Sequence, residues 1–144
     1  MDDLLAYLRD YAFKNHIGYE FSNFHNPDRA PKSITYMKMI FMNSNWKNKE
    51  EIPFQFAHEI SHILNGDSGS NNFSASSIYM KEEYKANARA AEILMEYSDL
   101  NNLSFYDSVS FMNAFGIPSK ARYVVDDVFR ERFGVNYKRT DCAL

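Results

Sequence analysis

The stretch Phe54–Asp67, FQFAHEISHILNGD, holds two histidines four residues apart, His58 and His62, with Glu59 directly after the first. Two imidazoles at i and i+4 on a helix stack one above the other and can share a divalent cation. The glutamate beside them can take a proton from a water that the cation polarises, so the chemistry of such a trio is metal-assisted hydrolysis. In a chain of 144 residues with four histidines, this pattern is expected by chance only ~0.007 times, which makes coincidence a poor explanation. At 100° per residue, Ile52, Phe56, Ile60, Ile63 and Leu64 cluster on one side, and the histidines lie about 160° from the centre of that cluster. One face of the helix therefore packs and the other presents imidazoles, with Glu59 about 80° around from the pair. His16 and His25 lack this spacing and read as surface or hydrogen-bonded loop histidines.

A catalytic metal needs a third protein ligand and a position left to water. Cysteine is a poor candidate because Cys142, the one cysteine, stands in the last residues. The next helical segment, YMKEEYKANARAAEILMEY, offers Glu82, Glu83, Glu92 and Glu96. With Glu83 set at 0°, Tyr79, Met80, Ala86, Asn87, Ala90, Ala91, Leu94 and Tyr97 all fall within about 80° of it, and these form the expected buried stripe. Glu82, Glu92 and Glu96 fall on the opposite face with Lys81, Lys85 and Arg89. Glu83 alone points inward, and a buried carboxylate must be paired or bound to a metal. The alanines at 86, 90 and 91 let another helix approach closely. Glu83 is therefore the expected third ligand, and the alternative is an inward ion pair with Arg or Lys. Asn87, one turn on, is placed to hydrogen-bond a ligand imidazole or Glu83.

The elements that must position these groups follow from periodicity. Residues 2–15 read as a helix with the apolar stripe Leu4, Leu5, Leu8, Ala12. IGYEF alternates as a strand, and Ile34–Asn43 is a second strand region, divisible into two. The histidine helix stops near Asn65-Gly66, and a polar loop, DSGSNNFSASS, leads to a helix over roughly 78–97. Ser104, with Asp107 three residues on, is the expected N-cap of a helix ending at Gly116. Ser119 and Gly134 bound the last helix. Strands early and helices late make an α+β domain. No linker interrupts it, so residues 1–144 read as one domain, with a core over about 1–97 and a C-terminal helical pair over about 104–134.

Composition narrows the function classes. A hydrophobic content of 45% and an aromatic content of 16% describe a globular chain, and a net charge of −3 gives no footing for nonspecific binding to nucleic acid or anionic lipid. No apolar run approaches the roughly 18 residues of a membrane span. The opening MDDLLAYLRD lacks the basic start of a secretory signal, and a single cysteine suits a reducing cytoplasm.

FAHEISH, followed about twenty residues later by EYKANARAAEILM, resembles the ImmA/IrrE-type metallopeptidases. The second motif of that family is a glutamate, Ala-Asn after two residues, then small residues running into Ile/Leu-Leu-Met. Here it is Glu83, Ala86-Asn87, Ala90-Ala91 and Ile93-Leu94-Met95. The resemblance spans roughly residues 34–134 and implies a zincin-like fold, a small antiparallel or mixed sheet packed on a mainly helical domain with the HExxH helix central. It also implies Zn²⁺ held by His58, His62 and Glu83, with Glu59 as the catalytic glutamate. Arg89, Glu96 and Ser61 depart from the family's usual Phe, Pro and Gly, and none stands at a ligand position. Relatives are cytoplasmic zinc proteases of phages and mobile elements that relieve a helix-turn-helix repressor by cutting it, so the implied partner is such a repressor.

Three functions are open on this sequence. The first is peptide-bond hydrolysis, with the strand near Met37–Met42 taking up the substrate by strand addition, a Tyr or Asn of the 65–77 loop or the strand region aiding the oxyanion, and the loop gating the cleft. The second is a non-proteolytic zinc-containing antirepressor that binds a repressor stoichiometrically; Glu59 speaks against it, since a structural site has no use for a free carboxylate. The third is DNA binding by the last two helices, where Lys120, Arg122, Arg130 and Arg132 are offset by Asp126, Asp127 and Glu131. The expectation is no direct nucleic-acid binding and no membrane, with the oligomeric state left open.

Overall fold

The computed structural model describes residues 2–67 and 76–134. Cys142 and the 68–75 part of the polar loop lie outside them. The chain runs α1 (Asp2–Lys14), β1 (Gly18–Ser22), β2 (Lys32–Ile34), β3 (Met39–Asn43), α2 (Ile52–Asn65), α3 (Ser76–Leu100), α4 (Ser108–Phe115) and α5 (Arg122–Phe133). Short 3-10 turns stand before β3, α2 and α5. The architecture is α+β and zincin-like, with a three-stranded mixed sheet on a helical body.

The Ile34–Asn43 region is not one strand. Thr35–Met37 coil into a 3-10 turn, Lys38 takes a left-handed conformation at φ 51°, and the chain reverses into β3. β3 is the middle strand, parallel to β1 and antiparallel to β2. β1 occupies one edge along the whole of β3, and β2 occupies the other over Met39–Phe41, so the expected strand addition near Met37–Met42 is closed at those three residues. The outer strands are β1 and β2.

Helix α2 starts with Pro53 in its first turn, where the missing N–H costs nothing. Phe56 and Ile60 are fully buried, and the Phe56 ring centroid lies 5.3 Å from Tyr19 and 5.1 Å from Phe21 of β1. Leu8 of α1, Ile40 and Met42 of β3, Leu94 of α3, and Phe111 and Phe129 of α4 and α5 complete the same core. Burying each such side chain stabilises the fold by about 1.5–3 kcal/mol. Gly116 caps α4 with φ 63°, and a Cβ there would stand 2.0 Å from the Glu50 carbonyl oxygen, so only glycine lets this turn lie against the 3-10 turn that precedes α2.

Two caps differ from expectation. Asp107, not Ser104, caps α4; its backbone is extended and its carboxylate accepts from the Ser110 N–H at 2.8 Å. Ser119 opens a 3-10 turn, and α5 begins only at Arg122. Helix α3 is longer than the stripe suggested, and its first turns overhang the core. Tyr79 and Met80, expected to be buried, are 52% and 68% exposed. Arg89, expected to face solvent, is half-buried and donates to Asn65 Oδ1 at 2.9 Å, tying α3 to the end of α2. No described helix is long and apolar enough to cross a membrane.

The segment between β1 and β2 is organised by one buried amide. Asn43 is fully buried. Its Nδ2 donates to the carbonyls of Asn26 at 2.8 Å and Arg29 at 2.9 Å, and its Oδ1 accepts from the N–H groups of Phe24 at 3.2 Å and Asn45 at 2.9 Å. Asn43→Ala strands these backbone groups. It is expected to destabilise the fold by about 2–4 kcal/mol, measured as a lowered urea midpoint with unchanged slope.

Candidate metal centre

Helices α2 and α3 form the most extensive contact in the fold. Ala86, Ala90 and Ala91 of α3 are fully buried, and such short side chains let the two backbones lie close. Across that contact, three side chains converge. His62 Nε2 lies 3.0 Å from His58 Nε2, and Glu83 Oε2 lies 3.1 Å from His58 Nε2 and 2.6 Å from His62 Nε2. The two rings stack edge-on with centroids 4.6 Å apart, as their i, i+4 spacing requires.

The outer nitrogens fix what the inner ones can do. His58 Nδ1 is 2.7 Å from Asn87 Oδ1, and His62 Nδ1 is 2.7 Å from Asp67 Oδ2. Both oxygens are acceptors, so each Nδ1 carries its proton and donates it. In the neutral rings the proton is then absent from Nε2. Two nitrogen lone pairs and a carboxylate oxygen therefore face one another within 4.8 Å. That arrangement is repulsive unless a positive charge sits among them. Two imidazoles and a carboxylate suit a divalent cation such as zinc, so the residues present fit one.

Without a metal, a proton takes that place. Burial opposes an imidazolium at His62, but hydrogen bonds to Glu83 and Asp67 outweigh it and push the group up to about 9. Burial likewise works against the Glu83 carboxylate, yet the two imidazoles hold it well below the usual carboxylate range. Its side chain is 32% exposed, so Glu83 stands at the mouth of the site rather than in the core.

Glu59 is 8% exposed and its Oε2 is 4.0 Å from His58 Nε2. Burial raises its pKa; His58, His62 and the Ser33 side chain pull the other way without cancelling the rise. Its carboxylate thus lies beside the three converging groups without being one of them.

Two residues that periodicity does not point to, Asp67 and Ser33, also reach the site. Asp67 returns to His62 because Gly66 takes φ 71° at the end of α2, and the Asp67 N–H then bonds the His62 carbonyl at 3.1 Å. The Asn65-Gly66-Asp67 run carried that signal. Ser33 lies on β2, whose place is visible only once the sheet has formed. His16 and His25 stay outside the cluster, each in a left-handed turn at φ 60° and 66°.

The family model described as Peptidase_M78, IrrE N-terminal-like domain, matches residues 16–141. No curated protein and no solved structure matches the chain.

Metal binding must displace the His62 proton, whereas Glu83 is already ionised. Zinc affinity is therefore expected to rise about tenfold per pH unit from pH 6 to 8 and to flatten as pH passes about 9, measured by competition with a chromophoric chelator. At high pH, where no proton competes, Asp67→Asn is expected to lower the affinity about 10–100-fold.

Proposed function

On the premise that the chain belongs to the Peptidase_M78, IrrE N-terminal-like family, we propose that it is a zinc-dependent endopeptidase acting on a helix-turn-helix repressor of a phage or mobile element. Family membership itself makes it a metallopeptidase-type protein with a protein substrate. The zinc, the residue roles, the cytoplasmic setting and the repressor are our reading. The observation that carries it is the convergence of His58, His62 and Glu83 on one point, with the buried Glu59 beside them.

In this reading His58, His62 and Glu83 hold the ion, and Asn87 and Asp67 fix the imidazole orientations. Zinc, when bound, polarises the scissile carbonyl and acidifies a water. Glu59 takes the proton of the attacking water and passes it to the leaving amine. The substrate lies extended along the outer edge of β2, since β3 is paired on both sides; Ser33 on β2 already faces Glu59, so a peptide there runs past the general base.

The repressor is carried by the resemblance of the two motifs, not by the geometry. The C-terminal helices support a docking or structural role over DNA binding. Arg130 pairs with Asp127 at 3.5 Å and Arg132 with Asp99, so these cations are answered by neighbouring acids. The alternative, a zinc-containing protein that inhibits by capture, gives Glu59 no task.

Glu59→Gln is expected to retain zinc and to lower cleavage of a co-purified repressor by about 10²–10⁴-fold, read as fragments on a gel. Wild-type protein that leaves the repressor intact while abolishing its DNA binding would support capture instead.

A further inference from the structure

Glu83 has two carboxylate oxygens, and they stand in different surroundings. Oε2 faces both histidine Nε2 atoms, at 3.1 and 2.6 Å. Oε1 is approached by Tyr79, whose hydroxyl donates to it at 3.4 Å. Tyr79 lies four residues before Glu83 in the first turns of α3, on the same helix face. A phenol keeps its proton at neutral pH and so remains a donor.

Whether a carboxylate offers one oxygen or two decides how many positions remain open on the ion it binds. Two imidazoles and a single carboxylate oxygen leave the fourth position of a tetrahedral ion to water, whereas a second carboxylate oxygen raises the ion to five-coordinate and crowds that position. We propose that Tyr79 is a positioning residue that engages Glu83 Oε1 and so leaves Oε2 alone to face the metal. This rests on the metal-centre reading above and adds to it the group that sets the carboxylate's mode of binding. The contact is longer than the usual about 2.8 Å for O–H···O, so it orients the carboxylate and adds little to stability. Tyr79 is 52% exposed, so its ring contributes little to the core and its loss leaves the fold intact.

The test uses the full chain loaded with Co²⁺, whose visible absorption is most intense in four-coordinate sites and weaker in five-coordinate ones. Wild type is expected to give the intense four-coordinate band. Tyr79→Phe, with an unchanged circular dichroism spectrum and thermal midpoint, is expected to lose intensity as Oε1 joins the ion. A residue that merely packs would leave the band unmoved. Identical bands in both proteins overturn this inference alone and leave the metal centre standing. Absence of any band in wild type overturns the metal centre and this inference with it.

Discussion

Three electron pairs aimed at one point repel each other, and that constraint organises this molecule. His58 and His62 cannot relieve it by turning over, because each has its outer nitrogen committed to an acceptor, Asn87 in one case and Asp67 in the other. Glu83 cannot relieve it by protonation, because the imidazoles hold it ionised. What remains is a positive charge at the centre, a proton or a metal ion. The close packing of α2 on α3, made possible by alanines, is what brings the three atoms together at this distance.

The supporting structure is arranged around the same point. α2 buries Phe56 and Ile60 against the sheet and α3, which leaves its opposite side for the imidazoles. Gly66 ends the helix in a left-handed turn that returns Asp67 to His62. β2 carries Ser33 to Glu59, so the sheet reaches the same centre from a third direction. The first turns of α3 stand clear of the core and set Tyr79 at the outer oxygen of Glu83. Each of these depends on a short-range feature, a cap, a strand register or a helical turn, acting on a group placed by long-range packing.

Much of this was legible in the sequence, and the reasons differ by residue. The i, i+4 histidines and the placing of Glu83 on the face of its helix that meets them follow from helical periodicity, although Glu83 stands at the mouth of the site and not in the core. The α+β character followed from strands preceding helices. Periodicity does not say where α3 leaves the core, so it counts Tyr79 and Met80 with the buried stripe, whereas both are exposed. It could not separate Ser104 from Asp107 as cap, since both fit the local pattern and only the path of the preceding loop chooses. Nor could it show that β3 is the middle strand, because pairing order depends on the 3-10 turn and the reversal at Lys38. Asp67 needed the left-handed turn at Gly66, and Ser33 needed the finished sheet.

X-ray absorption at the zinc edge of the zinc-loaded chain reads directly which atoms surround the ion. One zinc per chain is expected in a shell of nitrogen and oxygen at about 2.0–2.2 Å, with the outer scattering of two imidazoles and no sulfur. A sulfur neighbour at about 2.3 Å, or a shell without imidazole scattering, would contradict it.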